Sequence, residues 1–219
     1  VLLADHPVRG EPHDFIIFKR DLLKPKQIYD LEDSPIAIKD PAESGVFRNG
    51  KKVTWRPILQ AALHKQLNEA EQTPQQFAYM QRDAWRTARQ QRMPLNWPST
   101  YPVNSIAAAR AYYWVEQNYD EDKAIQFALG VFKAYWVTDH NIGDADFILN
   151  VAERYGLDSA AMFDGINNQE IMNRLHQMSD VAFQRGILEL PTVFVGDEMF
   201  GGAHSLDQME RWAQVGGWS

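Results

Sequence analysis

The stretch Leu190-Pro191-Thr192-Val193-Phe194-Val195-Gly196-Asp197-Glu198-Met199-Phe200-Gly201-Gly202 decides the fold of this chain. Leu190 to Val195 is a β-prone run, and a proline at the first residue of a strand removes a donor that matters little there. Gly196-Asp197 is a turn signal, and Glu198-Met199-Phe200 reads as a short return strand. Gly201-Gly202 breaks it. Ser205 then caps a last helix, with Gln208 three residues on as a capping box and Leu206, Met209 and Ala213 facing inward. The glycine-punctuated passage from Gly201 to Ser205 leads into a helix N-terminus with free N–H groups and positive dipole density. A carboxylate-bearing ligand finds partners there, and a tight, well-capped turn needs the same residues.

Before Gly186 the period changes from two to 3.6. Ile58 to Asn68 is a helix candidate. Thr73-Pro74-Gln75-Gln76 is a start signal, with Thr as N-cap, Pro at the first helical position and Gln at the third. Phe77, Met80, Ala84 and Ala88 then share one face. Further helices are expected over Ile106 to Glu116, along the stripe Ile125, Leu129, Phe132 and Trp136, and from Asp144 to Tyr155 with Gly156 as its stop. Ile171, Leu175, Met178 and Ala182 mark another, ended by Gly186. Packing alone produces such stripes, so they are read as ordinary helical core. Tyr112, Tyr113 and Trp114 are adjacent and cannot share one helix face. At least one points away from the local core, toward a second core layer or an interface.

Upstream, Lys52-Val53-Thr54-Trp55-Arg56-Pro57 follows the turn signal Asn49-Gly50 and reads as a strand. Residues 1–27 are unlike the rest, punctuated by Pro7, Gly10, Pro12 and Pro25 around one apolar run, Phe15 to Phe18. They are read as an extension with one short strand or helix. Strand signals thus flank a long helical block. The expected class is α/β, a domain interrupted by a helical insertion.

The chain of 219 residues carries a formal charge of −7 and no cysteine. The missing cysteines exclude disulfides, thiolate nucleophiles and CxxC redox cycles. The acidic balance and the lack of a basic stripe argue against nucleic acid as a partner. No run of about 20 apolar residues suggests a membrane span, and the N-terminus does not read as an intact signal peptide. The six histidines lack metal-ligand spacing, so no metal site is expected, and no P-loop, GxGxxG or GxSxG occurs.

Four stretches in order carry a resemblance. Val53-Thr54-Trp55-Arg56-Pro57-Ile58-Leu59 with His64-Lys65 is the first. Tyr79, Asp83-Ala84-Trp85-Arg86-Thr87-Ala88 and Met93-Pro94 form the second. Tyr101-Pro102-Val103-Asn104-Ser105 is the third, and Gly186 to Val195 the fourth. From near Ile28 to about Trp212 the chain resembles 2-hydroxychromene-2-carboxylate isomerases and kappa-class glutathione transferases, in the DsbA-like branch of the thioredoxin fold. The resemblance implies a thioredoxin-like domain (28–62 and 183–219) with a large inserted all-helical domain (63–182), behind the extension at 1–27.

It also implies a function. Family members bind glutathione and hold its thiolate with a serine where redox relatives carry a cysteine. Ser34 maps to that serine, Leu190-Pro191 to a cis-proline loop that pairs with the glutathione backbone, and Lys65 to a lysine near the active site. Asn104 maps to a polar residue of the helical domain. Ala203 and His204 map to the turn that holds the γ-glutamyl end, where His204 stands in place of an aspartate and Ser205 in place of an arginine. Glu32 and Asp33 directly precede Ser34, unlike the family pattern, and like charges there disfavour a thiolate. The implied activity is glutathione-dependent isomerisation or transfer on an unsaturated aromatic carboxylic acid, by a cytoplasmic enzyme that pairs into a homodimer. The alternative is a DsbA-like module without catalysis, serving binding or structure.

Overall fold

The computed structural model describes residues 2–5, 14–15, 54–60, 62, 73–90 and 92–215. Five strands form one sheet: β1 (Leu2–Asp5), β2 (Asp14–Phe15), β3 (Arg56–Pro57), β4 (Thr192–Val195) and β5 (Glu198–Gly201), in the order β3-β1-β2-β4-β5. All four pairings are antiparallel. The β4–β5 hairpin is the one its sequence announces: Val193 faces Phe200, and Gly196 turns the corner at φ +67°. Every residue of β4 is buried, as expected of a strand covered on both faces.

The boundary expected at residue 27 does not set an appendage apart from the domain. Both strands of the 1–27 segment lie inside the sheet, with Phe15 opposite Val193 and Leu3 opposite Arg56. β4 is flanked by β2 and β5, and the expected run Ile28 to Leu31 lies outside the described residues.

Between the halves of the sheet come α1 (Pro74–Gln90), α2 (Ile106–Asn118), α3 (Glu121–Trp136), α4 (Ala145–Arg154), α5 (Ser159–Ile166) and α6 (Gln169–Gln184). After β5, a 3₁₀ turn (Ala203–Ser205) leads into α7 (Leu206–Val215). The expected capping box of α1 forms: the Gln76 N–H donates to Thr73 Oγ1, and Gln76 Oε1 accepts from the Thr73 N–H. Asp120, Asp144, Asp158 and Asn168 cap α3 to α6 by accepting from N–H groups of the first turn. Helix α5 has no long apolar stripe, and Asp158 was its sequence signal. The box expected at α7 is different: the Ser205 hydroxyl donates backward to Gly202 O, tightening the turn before the helix.

Helix α2 lies at the centre, touching α3, α4, α5, α6 and β3. Tyr112, Tyr113 and Trp114 are all buried, because partners surround the helix on every side. Two of them fasten the sheet. The Tyr112 hydroxyl donates to Trp55 O at 3.1 Å and the Tyr113 hydroxyl to Pro57 O at 2.7 Å. Removing the second hydroxyl in Tyr113→Phe leaves a buried carbonyl unsatisfied. Urea unfolding should show a loss of about 1–3 kcal/mol; an unchanged midpoint would mean that this bond contributes nothing to holding β3.

Candidate functional site

Two loops meet at the start of β4. The Leu190–Pro191 peptide bond is cis. Pro191 O accepts from the Gly202 N–H at 2.7 Å, which ties the proline loop to the turn before α7. The Thr192 hydroxyl donates to Glu189 O at 2.6 Å and fixes the other end of the loop. Leu190 packs, half-buried, beside the cluster of Ile58, Ala182, Ile187 and Phe194.

Gly202 takes a positive φ of +73°, open chiefly to glycine. Space requires glycine as well. A Cβ there would stand 2.5 Å from His204 Cε1 and 3.0 Å from Glu189 Oε2. The imidazole of His204 and the carboxylate of Glu189 therefore converge over one bare backbone position, and both are exposed to ligand. His204 and Ala203 belong to the 3₁₀ turn. Glu189 was not among the expected site residues. Its signal was its place immediately before Leu190-Pro191, pointing to the turn across the hairpin.

Asn104 is exposed and its side-chain oxygen accepts from the Ile106 N–H at 3.1 Å, so it serves the start of α2. The structure therefore sets Leu190, Pro191, Ala203 and His204 together and places Asn104 apart from them, at the start of α2. Ser34 and Lys65 lie outside the described residues.

A cavity of about 230 Å³ lies between the end of β3, the 101–103 turn, α2 and α3. Ile58, one of its walls, also belongs to the cluster that carries Leu190. At its rim Phe77, Trp97, Tyr101 and Trp136 pack as a ring cluster, with Tyr101 and Trp97 centroids 5.0 Å apart. Burial pushes the Tyr101 and Tyr112 phenols up, and the Tyr135 phenol up to about 12, so all three stay neutral at physiological pH. Among the described residues no cluster of histidine and carboxylate side chains suits a metal ion, and no helix is long and apolar enough to cross a membrane.

Comparison with known proteins gives two kinds of likeness. The model of the DSBA-like thioredoxin domain matches residues 20–213. A 2-hydroxychromene-2-carboxylate isomerase of Sphingobium xenophagum is 25% identical over 131 residues, 60% of this chain and 65% of that protein. A solved structure of such an isomerase covers 73% of this chain and 78% of its own, with a TM-score of 0.65 at 21% identity. The second kind is short and close: the nitrous-oxide reductase of Cupriavidus necator is 74% identical over 61 residues, 28% of this chain. The chain spans only a tenth of that reductase's length.

Proposed function

The chain belongs to the DsbA-like thioredoxin domain family, and on that premise we propose that it is a thioredoxin-fold isomerase or transferase using glutathione at the Leu190-Pro191 loop. One observation carries the reading: the loop is hydrogen-bonded to the Gly202 turn, so the expected backbone-pairing and γ-glutamyl-binding segments form one unit. An extended peptide lying along the loop would meet backbone groups at Leu190. Its ammonium end would meet the Glu189 carboxylate beside His204, a charge-assisted contact.

In this reading the Ser34 hydroxyl donates to the thiolate sulfur and Lys65 orients the carboxylate of an aromatic substrate. The sulfur adds to an electrophilic carbon, a bond rotates, and elimination returns the thiolate. The isomerase likeness supports this substrate class. No step calls for a cysteine on the protein, and the chain has none.

Calorimetry with reduced glutathione tests the proposal. Saturable binding is expected, weakened about tenfold in Glu189→Gln and again in Ser34→Ala. That factor corresponds to about 1.4 kcal/mol, the lower end for a hydrogen bond to a charged group. Absence of binding at several millimolar glutathione would overturn it.

One observation favours a second reading, a binding or structural module without catalysis. The strand beside β4 is β2, and the residues following Phe15 are Ile16-Ile17-Phe18, with no hydroxyl or thiol. In this reading glutathione does not bind, and Ser34→Ala changes nothing.

A further inference from the structure

We propose that His204 makes the grip on the ligand's ammonium end depend on pH: the neutral imidazole shares that ammonium with Glu189, and the protonated imidazole repels it. This regulation rests on the glutathione reading above and acts at the same site.

Gly202 leaves a bare place between two acceptors. The point that a Cβ would occupy there lies 2.6 Å from His204 Nδ1 and 3.0 Å from Glu189 Oε2. At Gly201 the same point lies 3.0 Å from Glu189 Oε1, so the carboxylate runs along both glycines. The bond from the Gly202 N–H to Pro191 O fixes this place relative to the proline loop. Both side chains are exposed, so a ligand lying along that loop reaches them. An ammonium group seated just outside the bare Cα has three N–H donors to share. Glu189 offers a charged acceptor, and Nδ1 of a neutral imidazole protonated on Nε2 offers a second.

Protonation reverses the second contact. Nδ1 then donates instead of accepting, a like charge stands beside the ligand's ammonium, and the imidazolium draws on the Glu189 carboxylate that the ammonium needs. The aspartate that the resemblance expects at position 204 has no such reversal. Among the described residues, β5 and α7 pack against the turn. β5 brings Glu198, and α7 brings Asp207, Glu210 and Arg211. Carboxylates and guanidinium groups ordinarily hold one charge state between pH 5.5 and 7.5, whereas imidazole is the side chain that changes charge there.

S-methylglutathione is the probe, because it keeps the ammonium and the peptide backbone but has no thiol proton of its own to titrate. Calorimetry on the intact chain is expected to show binding about tenfold weaker at pH 5.5 than at pH 7.5. His204→Asn, a neutral acceptor at both values, and His204→Asp, an anion at both, should each remove that difference. N-acetyl-S-methylglutathione, which lacks the ammonium, should bind more weakly and without the difference. Circular dichroism confirms that the variants are folded, and the comparison of the two ligands on the parent chain needs no variant. Equal binding of S-methylglutathione at the two pH values would overturn the proposal and leave the glutathione reading standing. The same loss at low pH in His204→Asn, or with the acetylated ligand, would also overturn it. So would no binding at either pH, and reduced glutathione at pH 7.5 then decides the glutathione reading by itself.

Discussion

Gly165→Ala is expected to lower the thermal midpoint by about 2–8 °C. Gly165 lies on α5 where that helix rests on α2, and a Cβ at this position would occupy the space of the Trp114 indole, meeting its Cδ1 and Nε1. The indole has nowhere to retreat. It is buried, and its ring stacks edge-on against Tyr119 at 5.8 Å. The Tyr119 hydroxyl in turn accepts from the N–H of Asp158, the residue that caps α5. Moving Trp114 therefore disturbs the start of the helix that carries the substitution. Forcing extra atoms into a packed core costs about 1–3 kcal/mol and sometimes more, while alanine regains at most about 1 kcal/mol of helix propensity. For a chain of this size each kcal/mol moves the midpoint by about 2–4 °C. Differential scanning calorimetry decides the matter: a midpoint equal to or above the parent's would show that the α2–α5 contact is loose.

The second large effect is expected at Glu116. Its carboxylate, with the side chain 12% exposed, binds Arg56 at 3.0 Å through one oxygen and Arg174 through the other. Arg174 also sits over the Tyr113 ring, 4.9 Å from its centre. One acid on α2 thus joins β3 to α6. In Glu116→Ala two guanidinium groups face each other without their shared anion. Breaking a buried pair costs about 3–5 kcal/mol, and the partial exposure of Arg174 reduces this to about 2–4 kcal/mol. Glu116→Gln keeps the volume and one acceptor, so it should fall between alanine and the parent. Urea unfolding of the three proteins orders them. Glu116→Gln matching the parent would show that volume, not charge, is what α2 supplies there.

The fold was legible where local chemistry and tertiary packing agree. Thr73 to Gln76, Asp144 with Gly156, and Gly196-Asp197 each define a boundary through bonds made within a few residues, and each boundary forms as read. Ser205 was misread because its hydroxyl, expected to accept from an N–H of the helix's first turn, donates to Gly202 O, which the proline loop holds in place. The site was legible in part. Leu190-Pro191 and His204 were singled out through the resemblance, and they come together because one hairpin holds both. Glu189 was missed because its one signal, the place immediately before Leu190-Pro191, does not by itself say that the side chain crosses to Gly202. The cavity was missed for a similar reason. Its walls come from residues 57 to 142, and each stripe by itself reads as core.

The first fifteen residues have a consequence for the solvent face of the molecule. β1 and β2 bridge β3 to β4, so the sheet has no other bridge between its two halves among the described strands. Trimming this hairpin would not merely shorten a tail. It would leave β3 without its partner among the described strands and turn β4 into an edge, and open edges of that kind recruit other chains into aggregates. The pairing of the proline-led strand thus depends on the segment whose composition looks least like a structural element.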